Sequence, residues 1–181
     1  MSKVIALDIE TTGLPERLGF DKYYDPNDIN KYDKSRVVSI GLYSSDFEKY
    51  EIIRPTNFII GNSEFHGITQ EIADLKGISL QDFFNEETIH KLKEYEILVG
   101  HNISFDIHVL KSDLIRHNLS VSIFPNKIIC TMQKGKSLLC QRKSPKLTEL
   151  YQHLFKENYQ TTHNALEDAK ISFLCFKKMC A

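Results

Sequence analysis

The chain has 181 residues, of which 41% are hydrophobic and 26% are charged, so it can bury one core of ordinary domain size. The formal net charge of −1 excludes a globally basic surface for nucleic acid, although a local basic groove stays open. No apolar run is long enough to cross a bilayer, no signal segment begins the chain, and the four cysteines form no C-x-x-C pair. We therefore expect one domain over residues 1–181 that is intracellular, in the cytoplasm or nucleus, and has no membrane partner.

The predicted elements follow an order that is typical of an α/β domain with a mixed sheet. Strands are predicted at 3–9, 36–44, 48–54, 96–100 and 127–131, the second and third forming a hairpin around Ser45-Asp46. Two helical stretches broken near Gly77 occupy 69–94, and further helices are predicted at 104–117, 131–139, 146–156 and 164–179. Asn164 with Glu167 three residues later predicts the start of the last helix.

Two carboxylates interrupt the first apolar strand. Asp8 and Glu10 lie two residues apart and therefore share one face of the strand "VIALDIETTGL". Such pairs are common on surfaces, but this one follows four apolar residues, at the strand end where open α/β sheets bind ligands. At this point two interpretations of Asp8 and Glu10 are equally open: a solvent-exposed pair of acids, or half of a cation-binding site.

Two further segments bring acids to places where a sheet edge is expected. In "LVGHNISFDIHVL", Asp106 falls near the first turn of a helix, where an acid can also serve the helix dipole. In "THNALEDAKIS", Asp168 lies near the inward stripe of the last helix, and His163 precedes that helix in a loop. Clustered carboxylates favour hard cations such as Mg²⁺ or Mn²⁺, and a loop histidine can take a proton from water.

Three motifs in order resemble those of the DnaQ-like, DEDDh 3′→5′ exonucleases. They are "DIETTGL" at 8–14, "HNISFD" at 101–106 and "HNALED" at 163–168, with further similarity in "FHGIT" at 65–69 and "KLTELYQHL" at 146–154. The resemblance implies a ribonuclease-H-like fold, with a central mixed five-stranded sheet between helices. It also implies release of nucleoside 5′-monophosphates from a nucleic-acid 3′ end by a mechanism with two divalent cations, Mg²⁺ or Mn²⁺.

The resemblance also assigns roles to individual residues. Asp8, Glu10 and Asp168 hold one cation, and Asp8 bridges to a second one near Asp106. His163 is the general base. It lies five residues before Asp168, whereas the related branch of the family has a tyrosine base four residues before its last Asp. The 3′-terminal nucleotide is expected to contact four residues: Thr11, Leu14, His66 and Phe105.

Several alternatives stay open from sequence. A catalytically silent nucleic-acid-binding module, an endonuclease on the same fold, and an RNA-trimming rather than a DNA-proofreading enzyme all remain. A polymerase or a second copy of the chain is open as a protein partner, which would attach to the domain's own surface. Residues 15–35 read as an irregular inserted loop that covers the sheet or shapes the substrate groove. The basic run at 134–146 is a solvated face or a phosphate-binding surface.

Overall fold

The computed structural model describes residues 2–19, 22–160 and 162–180, and five of its strands form one mixed sheet. The strands of the described chain are β1 (Val4–Thr11), β2 (Arg17–Gly19), β3 (Lys22–Tyr23), β4 (Val37–Tyr43), β5 (Glu48–Ile52), β6 (Ile97–Gly100) and β7 (Lys127–Cys130). The main sheet has the order β5-β4-β1-β6-β7, with β4 antiparallel to β1 and to β5, and β6 parallel to β1 and to β7. The predicted mixed five-stranded sheet is confirmed.

Helices cover both faces of this sheet. They are α1 (Ser63–His66), α2 (Gln70–Lys76), α3 (Leu80–Phe83), α4 (Glu86–Lys93), α5 (Ile103–Arg116), α6 (Thr131–Leu138), α7 (Leu147–Phe155) and α8 (Ala165–Met179). The prediction of two helical stretches over 69–94 is wrong, because this segment holds α2, α3 and α4. Ser79 and Asn85 each cap a new helix by accepting a backbone N–H bond, at 3.0 and 2.9 Å.

The central strand β1 is buried on both faces, which explains its apolar run. Ile5 and Leu7 are fully buried in the cluster that includes α5, whereas Ala6 joins the cluster formed with α8. Full burial of each large aliphatic side chain contributes about 1.5–3 kcal/mol. The strand is therefore held rigidly from both sides up to the point where its carboxylates begin.

Gly41 of β4 allows the first turn of α8 to lie directly on the sheet. A Cβ atom at this position would lie 2.3 Å from the carbonyl carbon and oxygen of Ala165 and 2.4 Å from the nitrogen of Leu166. A glycine in a strand interior often marks such a close backbone approach. Because Gly41 pairs with Asp8 in the sheet register, this contact sets the start of α8 beside the acidic end of β1.

The inserted loop at 15–35 is more ordered than the sequence indicates. It contains the β2–β3 hairpin and a 3₁₀ helix at Ile29–Tyr32, while Phe20 and Asp21 lie outside the described residues. Tyr32 is fully buried in the core, and Tyr23 packs on α5 with its ring 6.3 Å from Phe105. The segment therefore covers α5, which corrects the description of it as irregular.

No helix in the described part of the chain combines the length and the apolar character that a bilayer-spanning segment requires.

Candidate active site

Asp8 and Glu10 lie within β1, which continues to Thr11 and is thus longer than the predicted strand 3–9. In the register with β4, Asp8 is opposite Gly41 and Glu10 is opposite Ser39. Both carboxylates are half-buried. Since alternate residues of a strand point to the same face, the two side chains project together from the end of a rigid strand.

Asp106 reaches the same place from α5. Its side chain is 4% exposed, and its Oδ1 accepts a hydrogen bond of 3.1 Å from the backbone N–H of Ile9. Ile9 is the residue between Asp8 and Glu10, so this bond fixes the first turns of α5 against the acidic end of β1. Asn102, in the left-handed region with φ of 66°, makes the sharp turn that starts the helix.

Asp168 is placed by the first turn of α8, and it is 9% exposed. Asn164 caps this helix as predicted, accepting bonds from the backbone N–H groups of Leu166 and Glu167 at 3.1 and 3.3 Å. The hydroxyl of Tyr159 donates a 2.7 Å hydrogen bond to Oδ1 of Asp168. Sequence reasoning missed Tyr159, for which the only signal was an aromatic residue in an otherwise polar connection before the third motif.

His163 lies at the open side of this cluster. It is exposed, has φ of 48°, and offers a ring nitrogen that lies within 4.8 Å of carboxylate oxygens of Glu10 and Asp168. The ligand atoms of all three residues lie within 4.8 Å of one another. The structure thus brings together residues from the first and third motifs, at the edge to which the second motif contributes Asp106.

Electrostatic repulsion is strong among these carboxylates. Burial is the main cause that raises the pKa of Glu10 to about 8, and the charges of Asp168 and Asp106 add to it. Burial also raises the pKa of Asp106 to about 7, although the Ile9 N–H bond acts in the opposite direction. The pKa of Asp8 is raised well above its ordinary range by burial and then by three carboxylates, those of Asp106, Asp168 and Glu10.

This donor set fits hard divalent cations. Four carboxylates converge from β1, α5 and α8, and their mutual repulsion leaves an excess of negative charge that a cation relieves. No lysine or arginine is among the groups that shift these pKa values. The four carboxylates therefore offer oxygen ligands of the kind that hard cations prefer.

The expected nucleotide contacts border the cluster on the β4 side and on α5. Leu14 is 63% exposed, and Thr11 donates a 2.9 Å bond from its hydroxyl to the carbonyl of Gly13. Burial lowers the pKa of His66, and the nearby His163 acts in the same direction. Phe105 is half-buried beneath Tyr23. Thr11 and Phe105 are thus adjacent in sequence to Glu10 and Asp106, and His66 is close enough to His163 to feel its charge. Leu14 is connected to the acids only through the turn at 11–14.

The model of the RNase_T family, described as Exonuclease, matches residues 5–176. The chain belongs to this exonuclease family. No curated protein sequence matches the chain.

Solved structures share the fold of this chain at low sequence identity. Escherichia coli exonuclease I in complex with a dA16 oligonucleotide has a TM-score of 0.69 and 18% identity, covering 99% of this chain and 40% of that one. The nuclease domain of 3′hExo, a DEDDh family member bound to rAMP, has a TM-score of 0.68 and 18% identity, covering 99% and 92%. The catalytic unit of Neurospora crassa Pan2 has a TM-score of 0.63 and 18% identity, covering 97% and 26%. The chain thus spans less than half the length of the exonuclease I chain.

Proposed function

We propose that the protein is a metal-dependent 3′→5′ exonuclease that releases nucleoside 5′-monophosphates. The observation that carries the proposal is the convergence of Asp8, Glu10, Asp106 and Asp168 with His163 at one sheet edge. These residues come from three distant segments, so chance placement on a solvated surface does not explain the full or partial burial and the mutual repulsion of the four carboxylates.

In this proposal two divalent cations, Mg²⁺ or Mn²⁺, are held by the four carboxylates. Asp8, Glu10 and Asp168 would hold one of them, and Asp106 together with Asp8 would hold the second. When bound, such cations supply an activated water and stabilise the leaving oxygen of the phosphodiester. The raised pKa values of Glu10 and Asp106 support this, because both groups become fully ionised ligands when a cation offsets the repulsion.

His163 acts as the general base. It is exposed, so a ring nitrogen can reach a water molecule in front of the scissile phosphate and accept its proton. Tyr159 orients Asp168 through its hydroxyl, and is a positioning residue in this scheme.

The terminal nucleotide occupies the β4 side of the cleft. The exposed Leu14 offers an apolar surface for a base, and Thr11, His66 and Phe105 complete the expected contacts. Packing against an apolar side chain does not depend on base identity, which suits stepwise release of any nucleotide. Support for a nucleic-acid substrate comes from the dA16 and rAMP ligands of the two structural neighbours.

The test is a digest of single-stranded DNA and RNA 12-mers labelled at the 5′ end, with Mg²⁺ and with Mn²⁺. We expect a ladder that shortens from the 3′ end, with 5′-monophosphates as the small products. Asp168→Asn removes a ligand charge and lowers the rate by at least ~100-fold, whereas His163→Ala lowers it while retaining metal-induced thermal stabilisation.

Three outcomes would overturn the proposal in distinct ways. Internal cuts would indicate an endonuclease, and binding without cleavage would indicate a silent nucleic-acid-binding module. Normal turnover by Asp168→Asn would show that the cluster is not the catalytic centre. A matched control is Asp82→Asn, which changes the same charge at the exposed start of α3, bonded to Ser79.

A further inference from the structure

The basic run at 134–146 is divided by the structure into two parts. Lys134 lies on α6, with its Nζ 3.4 Å from Sγ of Cys180 and 5.8 Å from the ring centre of Phe176, so it belongs to the end of α8 far from Asp168. Arg142 and Lys143 lie instead in the connection between α6 and α7, residues 139–146, and both are exposed. We call residues 139–146 the basic loop.

The basic loop is anchored to the end of β6. The ring of His101 bonds through Nε2 to the carbonyl of Pro145 at 3.0 Å and pairs through Nδ1 with the hydroxyl of Thr131 at 3.1 Å. That hydroxyl also donates a 3.1 Å bond to the carbonyl of Gly100. Pro145 is buried, so the loop is fixed at its base while the side chains of Arg142 and Lys143 are exposed to solvent.

The anchor point lies beside the catalytic strand. The parallel register pairs Ala6 of β1 with Val99 of β6, and a Cβ atom at Gly100 would lie 2.7 Å from the carbonyl oxygen of Leu7. The end of β6, which His101 follows, therefore lies beside the part of β1 that leads to Asp8. Adjacent strands are about 4.8 Å apart. The basic loop therefore stands on the β6 side of the acidic cluster.

The opposite wall of the cleft carries the nucleotide contacts. Thr11 pairs with Val37 of β4, and the side chain of Asn62, before α1, donates a 2.7 Å bond to the carbonyl of Thr12. Leu14 and α1 thus stand on the β4 side. A nucleic-acid strand with its 3′-terminal nucleotide on the β4 side and its scissile phosphate at the acids would extend towards β6.

We propose that Arg142 and Lys143 bind the phosphates of the substrate strand on the 5′ side of the scissile bond. This inference rests on the proposed exonuclease function. The basic run contains no acid, and the nearby Glu149 is engaged with the backbone N–H of Lys146 at 2.8 Å. A guanidinium matches phosphate oxygens in a bidentate arrangement, and a lysine adds a point charge. The ligand class is a single-stranded polyanion at least two nucleotides longer than the leaving unit.

The test compares two substrates with the double variant Arg142→Gln/Lys143→Gln. One substrate is a single-stranded DNA 12-mer, and the other is the p-nitrophenyl ester of thymidine 5′-monophosphate, which has no phosphate on the 5′ side. We expect the ratio of kcat/KM on the 12-mer to kcat/KM on the ester to fall about tenfold. The matched control, Lys177→Gln/Lys178→Gln, removes two exposed charges at the far end of α8 and keeps the wild-type ratio.

Binding is measured separately, by anisotropy of a labelled 12-mer in EDTA over a range of salt concentrations. Loss of two phosphate contacts makes the negative slope of the logarithm of the association constant against log salt shallower by about 1.4 in the Arg142→Gln/Lys143→Gln variant. An unchanged ratio and an unchanged slope would overturn the inference. If the wild type hydrolyses neither substrate, the proposed function fails, and the slope alone still decides whether the basic loop binds phosphates.

Discussion

The contact between Gly41 and the start of α8 makes a sharp prediction about how the fold sets the site. In Gly41→Ala the new Cβ would stand 2.3 Å from the backbone of Ala165, where ordinary contact begins at 3.4 Å. The obstacle is helix backbone, which has no rotamer to move away. The first turn of α8 must therefore shift by about 1 Å relative to β4.

Two effects of different size follow from this shift. Overpacking of this kind costs about 1–3 kcal/mol, which corresponds to a fall in Tm of about 2–12 °C for a domain of this length. The shift also moves Asp168, which lies in the first turn of α8, relative to Asp8, which is opposite Gly41. A misplacement of about 1 Å at a reacting centre costs about 100-fold in rate.

The assay is kcat on the 12-mer at 25 °C with saturating Mg²⁺, together with circular dichroism to show that the variant is folded. We expect a loss of about 100-fold in a protein with a native spectrum. Gly19→Ala is the matched control, because its Cβ would meet only Lys22, at 3.9 Å, and its activity stays at the wild-type level. Activity of Gly41→Ala within threefold of wild type would refute the reasoning that this contact positions Asp168.

Two further predictions concern the environment of the carboxylates. Tyr159→Phe removes the hydroxyl bond to Asp168, so the Mg²⁺ concentration for half-maximal rate rises about 10- to 100-fold, and an unchanged metal dependence would count against its positioning role. Glu10 and Asp106 titrate at about pH 8 and 7 when folded, against 4.5 and 3.8 for the ordinary groups, so the folded protein binds more protons over that interval. In EDTA, Tm therefore falls as pH rises from about 5 to 8, and Mg²⁺ raises Tm more at pH 8 than at pH 6. An equal rise of Tm on addition of Mg²⁺ at both pH values would contradict this account. So would a Glu10→Gln variant whose Tm falls with pH as steeply as that of the wild type.

Much of the fold follows from short-range patterns. The apolar run of β1, the alternation of the β4–β5 hairpin and the cap at Asn164 are local signals, and each element appears within a few residues of its predicted bounds. The region 69–94 divides differently, because Ser79 and Asn85 are local caps that the predicted two-stretch pattern did not use. Helix and strand identity thus depended mainly on periodicity, which a sequence displays directly.

Residue types in the three motifs determined the candidate site. Asp8, Glu10, Asp106, Asp168 and His163 stand at a strand end or near a helix start, positions that chain order and sheet geometry bring to one edge. Their chemistry as acids and a base is a property of the residues themselves. For this reason the sequence by itself indicated the family to which the chain belongs, and it supplied the prediction of a divalent-cation site.

Only the tertiary structure decided how these groups are held. Tyr159 is a partner of Asp168, Gly41 admits α8 onto the sheet, and the segment 15–35 folds over α5 rather than the sheet. The basic run at 134–146 likewise separates into α6, whose Lys134 contacts the end of α8, and a loop whose Pro145 bonds to His101 at the end of β6. Each feature is a contact between residues whose meeting depends on how distant elements pack, and a linear pattern carries no record of such contacts.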